Sequence, residues 1–230
     1  MSTSSGGGRR PQIDCVTLGP WETNCYVVRA PTSSACWIVD AGFEPAALIR
    51  HVRDQGLEPE KLILTHAHLD HIAGAREVVE AFGGLPISIH EAERDWLSDP
   101  TLNLSAFVEM NITAPEATDL LEDGQPLTLD GHQWIVLHTP GHSPGGVTLV
   151  HNDSRQAIVG DTLFQGSIGR FDFPTSDGDT LIRSIRERLM TLPDDTRVLP
   201  GHGPETTIGQ ERDSNPYVRG GLQPFGSTGW

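Results

Sequence analysis

His66-Ala67-His68-Leu69-Asp70-His71 gathers three imidazoles and a carboxylate within six residues, preceded by Thr65 and the apolar run Leu62-Ile63-Leu64. Histidine is the commonest metal ligand near neutral pH, and an oxygen donor beside it suits zinc, iron or manganese. A solvated polar loop, or a helix with His68 and His71 on one face, would produce a similar local pattern. A cluster of this density directly after a strand-like segment points instead to a bound metal.

Other candidate ligands stand where apolar runs end. His142 lies in His138-Thr139-Pro140-Gly141-His142-Ser143-Pro144-Gly145, whose proline and glycine spacing forces a sharp turn. Asp161 follows Ile158-Val159-Gly160, and His202 follows Val198-Leu199-Pro200-Gly201. A lone His or Asp after a strand is ordinarily a turn or cap residue; four such loops in one chain indicate convergence on one point.

The elements that must hold these loops read as strands and helices in both halves. Strands are expected at residues 13–18, 25–28, 37–39, 62–64, 86–89, 127–129, 134–137, 147–151, 157–159 and 197–199. Helices are expected over 45–55, closed by Gly56, over 74–82, ended by Gly83-Gly84, and over 91–97. A fourth, over 180–190, carries the apolar stripe Leu181, Ile182, Ile185 and Leu189. Residues 98–122 read as an irregular insert over the site. With no linker between the halves, one two-layer or four-layer α/β body is favoured over two domains.

The chain has 230 residues, ample for a sizeable core. Its net charge of −15 opposes binding to a phosphate backbone, so nucleic acid is not an expected partner. Cys15, Cys25 and Cys36 show no Cys-x-x-Cys spacing and argue against a disulfide framework. No run reaches membrane-spanning length, and a soluble cytoplasmic protein is expected. Residues 1–11 read as a disordered Ser/Gly-rich tail, 12–212 as the domain and 213–230 as a C-terminal tail.

The order His-x-His-x-Asp-His, then His142, Asp161 and His202, resembles the metallo-β-lactamase superfamily, over roughly residues 14–211 and including the Val39-Asp40-Ala41-Gly42 turn. That resemblance implies an αββα four-layer sandwich with two divalent metal ions at one edge, zinc foremost and iron or manganese as alternatives. It implies that His66, His68 and His142 hold one ion, that Asp70, His71 and His202 hold the other, and that Asp161 bridges them. Asp70 and Asp161 would then be the catalytic carboxylates.

The stretch after Asp161, with Gly169-Arg170, resembles the glyoxalase II branch. It implies a hydrolase cleaving a small, S-lactoylglutathione-like thioester with a metal-bridging hydroxide, Arg170 contacting the substrate. The position two residues on, a Tyr in typical members, is Asp172 here, and the helical C-terminal extension of those enzymes is missing. Gly169-Arg170-Phe171-Asp172-Phe173 equally resembles persulfide dioxygenases, which use one iron on the equivalents of His66, His142 and Asp161. His138, four residues before His142, is a candidate for orienting that loop.

Overall fold

The computed structural model describes residues 10–220. Its first half forms a six-stranded sheet in the order β1 (Gln12–Leu18), β2 (Thr23–Arg29), β3 (Ala35–Val39), β4 (Glu58–Ile63), β5 (Ile87–His90) and β6 (Asp119–Leu121). The first three strands pair antiparallel and β3 through β6 pair parallel. Helix α1 (Ala46–Asp54) makes the β3–β4 crossover, while α2 (Leu69–Ile72) and α3 (Ala75–Ala81) make the next. Parallel neighbours demand such crossovers, because the chain must return to the starting edge.

Six later strands form the second sheet: β7 (Pro126–Leu129), β8 (His132–His138), β9 (Val147–His151), β10 (Gln156–Gly160), β13 (Arg197–Pro200) and β14 (Thr206–Thr207). A separate hairpin, β11 (Leu163–Phe164) with β12 (Ser167–Ile168), follows β10. Helices α4 (Gly178–Ser184), α5 (Ile208–Ser214) and α6 (Pro216–Gly220) complete the described chain.

Period-two alternation sorts the side chains into three cores. On β2, Cys25 and Val27 join α1 and α3 in one cluster, while Tyr26 and Val28 face the second sheet. On β10, Ile158 faces the first sheet and Ala157 and Val159 pack against α4 and α5. Successive residues of a strand point to opposite faces, so near-continuous apolar runs mark sheets covered on both sides. Trp37 and Trp134 meet across the inter-sheet core with ring centroids 6.3 Å apart. Helices outside, two sheets inside: the expected αββα sandwich is the observed architecture.

Several boundaries differ from the sequence reading. β4 starts at Glu58 rather than Leu62, and the helix expected over 91–97 is a 3₁₀ segment, Glu91–Ser98. The 180–190 helix is α-helical only to Ser184, and Ile185–Leu189 continues as a wider π turn that keeps Ile185 and Leu189 buried. The insert carries a 3₁₀ turn, Ser105–Val108, and ends in β6. Residues 213–220, expected within a tail, carry the end of α5 and all of α6: Asn215 between them is buried and Tyr217 and Val218 pack on the α4 core. The expected tail residues 1–9 and 221–230 lie outside the described residues.

Topology explains why the candidate ligands meet. β10 is parallel to β13, and β8 and β10 are each antiparallel to β9, so β8, β10 and β13 all run the same way. Their carboxyl ends therefore open at one edge, where a crevice for ligands forms in open α/β sheets. Hydrogen bonds from Asn24 N to Gly201 O (2.7 Å) and Val147 N to Thr65 O (2.9 Å) join the loops of the two sheets there.

Candidate metal centre

The chain leaves β4 extended through His68, whose backbone sits at φ −67° and ψ 149°, before α2 begins at Leu69. His66 and His68, two apart on extended backbone, share a side, while Ala67 turns into the core. Asp70 and His71 then fall on the single turn of α2. The β8–β9 loop adds His142, the end of β10 adds Asp161, and the end of β13 adds His202.

All seven predicted ligands converge. Donor atoms of His66, His68 and His142 form one compact group, and those of Asp70, His71 and His202 form another. Asp161 lies between them, with Oδ1 3.4 Å from His71 Nε2 and Oδ2 3.5 Å from His142 Nε2 and 3.6 Å from His202 Nε2. His66 Nε2, His68 Nε2, His71 Nε2 and Asp161 Oδ1 are buried without a hydrogen-bond partner. Leaving such atoms unsatisfied is costly, and the convergence of His66, His71 and Asp161, with His68 turning Nδ1 to within 2.9 Å of His142 Nε2, fits a cation that accepts their lone pairs.

The remaining ring nitrogens are held in a way that aims the donors. His142 Nδ1 donates to Arg170 O (2.8 Å) and His202 Nδ1 to Trp21 O (3.0 Å). Asp40 anchors two more: it accepts from His71 Nδ1 (2.8 Å) and from Thr65 Oγ1 (2.8 Å), which in turn lies 3.1 Å from His66 Nδ1. Thr65 N also donates to Asp40 (2.7 Å). Each of these imidazoles is thus left with Nε2 facing the centre, the outer-partner arrangement usual for metal-bound histidine.

The electrostatics divide the histidines: against burial, Asp70 and Asp161 raise the pKa of His71 and Asp161 that of His202, so a cation binding there would displace their protons. Burial lowers the pKa of His66, His68 and His142, keeping their lone pairs available. Burial would raise Asp161, but the neighbouring His71 and His202 hold it well below the carboxylate range. Against the same burial penalty, His71 and a hydrogen bond from His202 bring Asp70 to about 2. Both carboxylates are therefore anionic donors.

Packing leaves no slack around them. A Cβ on Gly201 would fall on Asp161 Oδ1 and His71 Cε1, and one on Gly169 on the Asp161 carbonyl. Only glycine permits that approach.

Three supports were not foreseeable as such. Asp40 appears in the sequence only as part of a turn, and its left-handed backbone (φ 61°) turns its carboxylate back under the site. Thr65 links it to His66. Glu93, fully buried, accepts from Ala67 N (2.5 Å) and Gly145 N (2.6 Å), bridging the two loops that carry the first ligand group. Burial raises its pKa, opposed by those amides. His138, the expected loop-orienting residue, contacts Pro144 O (2.9 Å) and stacks on His90, so it braces the loop without touching His142.

A cleft of about 700 Å³ opens over the ligands, bordered by Leu104, Phe107 and Val108 of the insert and by Phe164, Arg170 and Phe173. The insert therefore does cover the site. Arg170 lines this cleft with its guanidinium on Asp172 (both contacts 2.9 Å) and over the Phe173 ring, 4.3 Å from its centre.

Comparison with known proteins gives the same answer. Residues 18–202 match the family model of the metallo-beta-lactamase superfamily. The probable metallo-hydrolase YqgX of Bacillus subtilis is 40% identical, covering 88% of this chain and 95% of the relative. Hydroxyacylglutathione hydrolase GloC of Haemophilus influenzae is 36% identical, with coverage of 90% and 97%. Among solved structures, the BLEG-1 B3 metallo-beta-lactamase superposes with a TM-score of 0.87 at 40% identity, covering 91% of this chain and all of that one. TTHA1623 in a di-iron-bound form gives 0.77 at 38%, covering 89% and 99%. This chain belongs to the metallo-β-lactamase superfamily and is a metal-dependent hydrolase of that kind.

Proposed function

We propose that this chain hydrolyses a small thioester at a centre of two divalent ions. The observation that carries the reading is the convergence of two complete donor groups, with Asp161 between them, beneath an open cleft. Zinc is our first assignment, because His/Asp sets with open positions suit it, and iron is its competitor given the di-iron neighbour. Bound there, such ions lower the pKa of a water and polarise a carbonyl.

The chain's own residues do the rest. Asp70 and Asp161 supply negative charge that favours the cations, and Asp40, Thr65 and Glu93 keep donors and loops in register. Phe107, Phe164 and Phe173 border the cleft and limit water around a bound ester. In the reaction, a C–O bond to the water oxygen forms and the C–S bond breaks, its electron pair leaving on sulfur. A thiol leaving group has a pKa near 8.5, so no dedicated general acid is needed. This suits a site whose carboxylates are held ionised.

The similarity to GloC supports a thioester as the ester class. The iron persulfide dioxygenase reading uses the positions of His66, His142 and Asp161, whereas the hydrolase reading also uses the second group of Asp70, His71 and His202, so metal stoichiometry and dioxygen uptake separate the two. Three free cysteines and the net charge of −15 suit a reducing cytoplasm and a small-molecule substrate rather than nucleic acid. Among the described residues no helix is long and apolar enough to cross a membrane.

The test is the loss of thioester absorbance from S-lactoylglutathione and from a simple aliphatic thioester, with zinc-loaded protein and a chelated control. Turnover of either ester in the loaded sample alone is expected. Absence of turnover with both, or dioxygen consumption with a persulfide by the iron-loaded chain, would overturn the reading.

A further inference from the structure

The walls of the cleft carry little that could recognise a charged thiol. Among the described residues lining it, Arg170 is the only lysine or arginine. Its Nε and a terminal nitrogen are both engaged by Asp172, two residues away, and its plane lies over Phe173. A substrate carboxylate would therefore have to share the guanidinium with a tethered carboxylate that already offsets its charge.

Apart from the candidate metal ligands His68, Asp70, His142, Asp161 and His202, the rest of the lining is apolar. Trp21 stands at one side, 5.0 Å from Phe43 ring to ring; Phe107 and Val108 stand at the other. Phe107 is 64% exposed and Val108 45%, and together with Trp21 they edge the cleft with apolar surface, as ligand grooves do. The two carboxylates of a glutathione thiol part would find Arg170, already paired with Asp172, as the one lysine or arginine among the described lining residues, whereas an aliphatic acyl chain would find apolar walls.

Resting on the thioester-hydrolase reading, we propose that the substrate is an acyl thioester with an apolar acyl chain and a thiol part bearing no carboxylate. Asp172 sets this preference by offsetting the charge of the Arg170 guanidinium, and Phe107 by covering the acyl chain.

Four esters separate the two features: S-hexanoyl and S-lactoyl esters, each of N-acetylcysteamine and of glutathione, assayed with the zinc-loaded full chain. S-hexanoyl-N-acetylcysteamine is expected to exceed S-lactoylglutathione in kcat/KM by tenfold or more. In Asp172→Ala, the ratio of kcat/KM for glutathione over N-acetylcysteamine esters should rise about tenfold, the scale of one charge-assisted hydrogen bond to substrate. In Phe107→Ser, at an exposed position, kcat/KM for hexanoyl over lactoyl esters should fall about tenfold, the scale of one aromatic contact. S-lactoylglutathione as the best ester, or an unmoved thiol ratio in Asp172→Ala, would overturn the proposal while leaving a thioesterase. Failure of the wild type to cleave any of the four would remove the hydrolase reading and the proposal with it.

Discussion

Glu93 touches none of the seven ligands, yet its replacement should damage the centre. Its carboxylate, fully buried, is the acceptor for Ala67 N, between His66 and His68, and for Gly145 N, three residues after His142. Glu93→Ala leaves two buried amides unsatisfied, at about 1–3 kcal/mol each, and opens a cavity beside Gly145. A total of about 3–6 kcal/mol is a large part of the roughly 5–15 kcal/mol typical of domains. Glu93→Gln keeps the volume and one acceptor but sets an NH₂ against the other amide, costing about 2–3 kcal/mol. For a chain of this size each kcal/mol shifts Tm by about 2–4 °C, so Glu93→Gln should melt about 4–12 °C lower. Because the amides hold the loops bearing three histidines, zinc affinity should also fall, about tenfold or more. Thermal unfolding of the apo form and zinc titration by competition with a chromophoric chelator measure the two effects separately. Wild-type Tm and wild-type zinc affinity in Glu93→Gln would refute the reasoning.

Asp40→Asn removes the carboxylate that orients His71 and Thr65, and should weaken metal binding about 10–100-fold, read by the same competition assay. Gly201→Ala should lower metal content per chain, because its Cβ would overlap Asp161 and His71; unchanged content by elemental analysis would contradict the packing. Asp161→Ala should abolish thioester turnover while leaving the circular dichroism spectrum of the fold intact. In the native protein a thiol reagent should label Cys15 alone, since Cys25 and Cys36 are buried. Burial raises the Cys15 thiol pKa, so its thiolate is scarce near neutral pH and labelling should accelerate steadily as pH rises above the ordinary thiol range.

The residues of the candidate metal centre were legible because each carries its own local signal. A donor residue follows an apolar run and sits among the glycines and prolines that a tight, close-packed turn requires. The supports carry no such signal. Asp40 reaches His71 across 31 positions and Glu93 reaches Gly145 across 52, and only tertiary structure brings those segments together. A buried Glu on a short helical segment reads in the sequence as an ordinary surface residue. The π turn after α4 escaped for a different reason: Ile185 and Leu189 satisfy the apolar stripe whether the backbone closes as α or π. Helix α5 did leave a trace, Thr207-x-x-Gln210, a capping pattern whose Thr207 hydroxyl accepts from Gln210 N (3.2 Å). Arg170, expected to contact the substrate, lines the cleft, but an arginine's availability depends on its partner, and Asp172 becomes visible as that partner only in three dimensions.

Metal stoichiometry tests the central claim most directly. Apo-protein titrated with zinc and followed by calorimetry should take up two ions per chain, with Asp161→Ala, which removes the shared donor, losing affinity for both. One ion per chain in the wild type, or two retained at full affinity in Asp161→Ala, would contradict a centre built from two groups joined through Asp161.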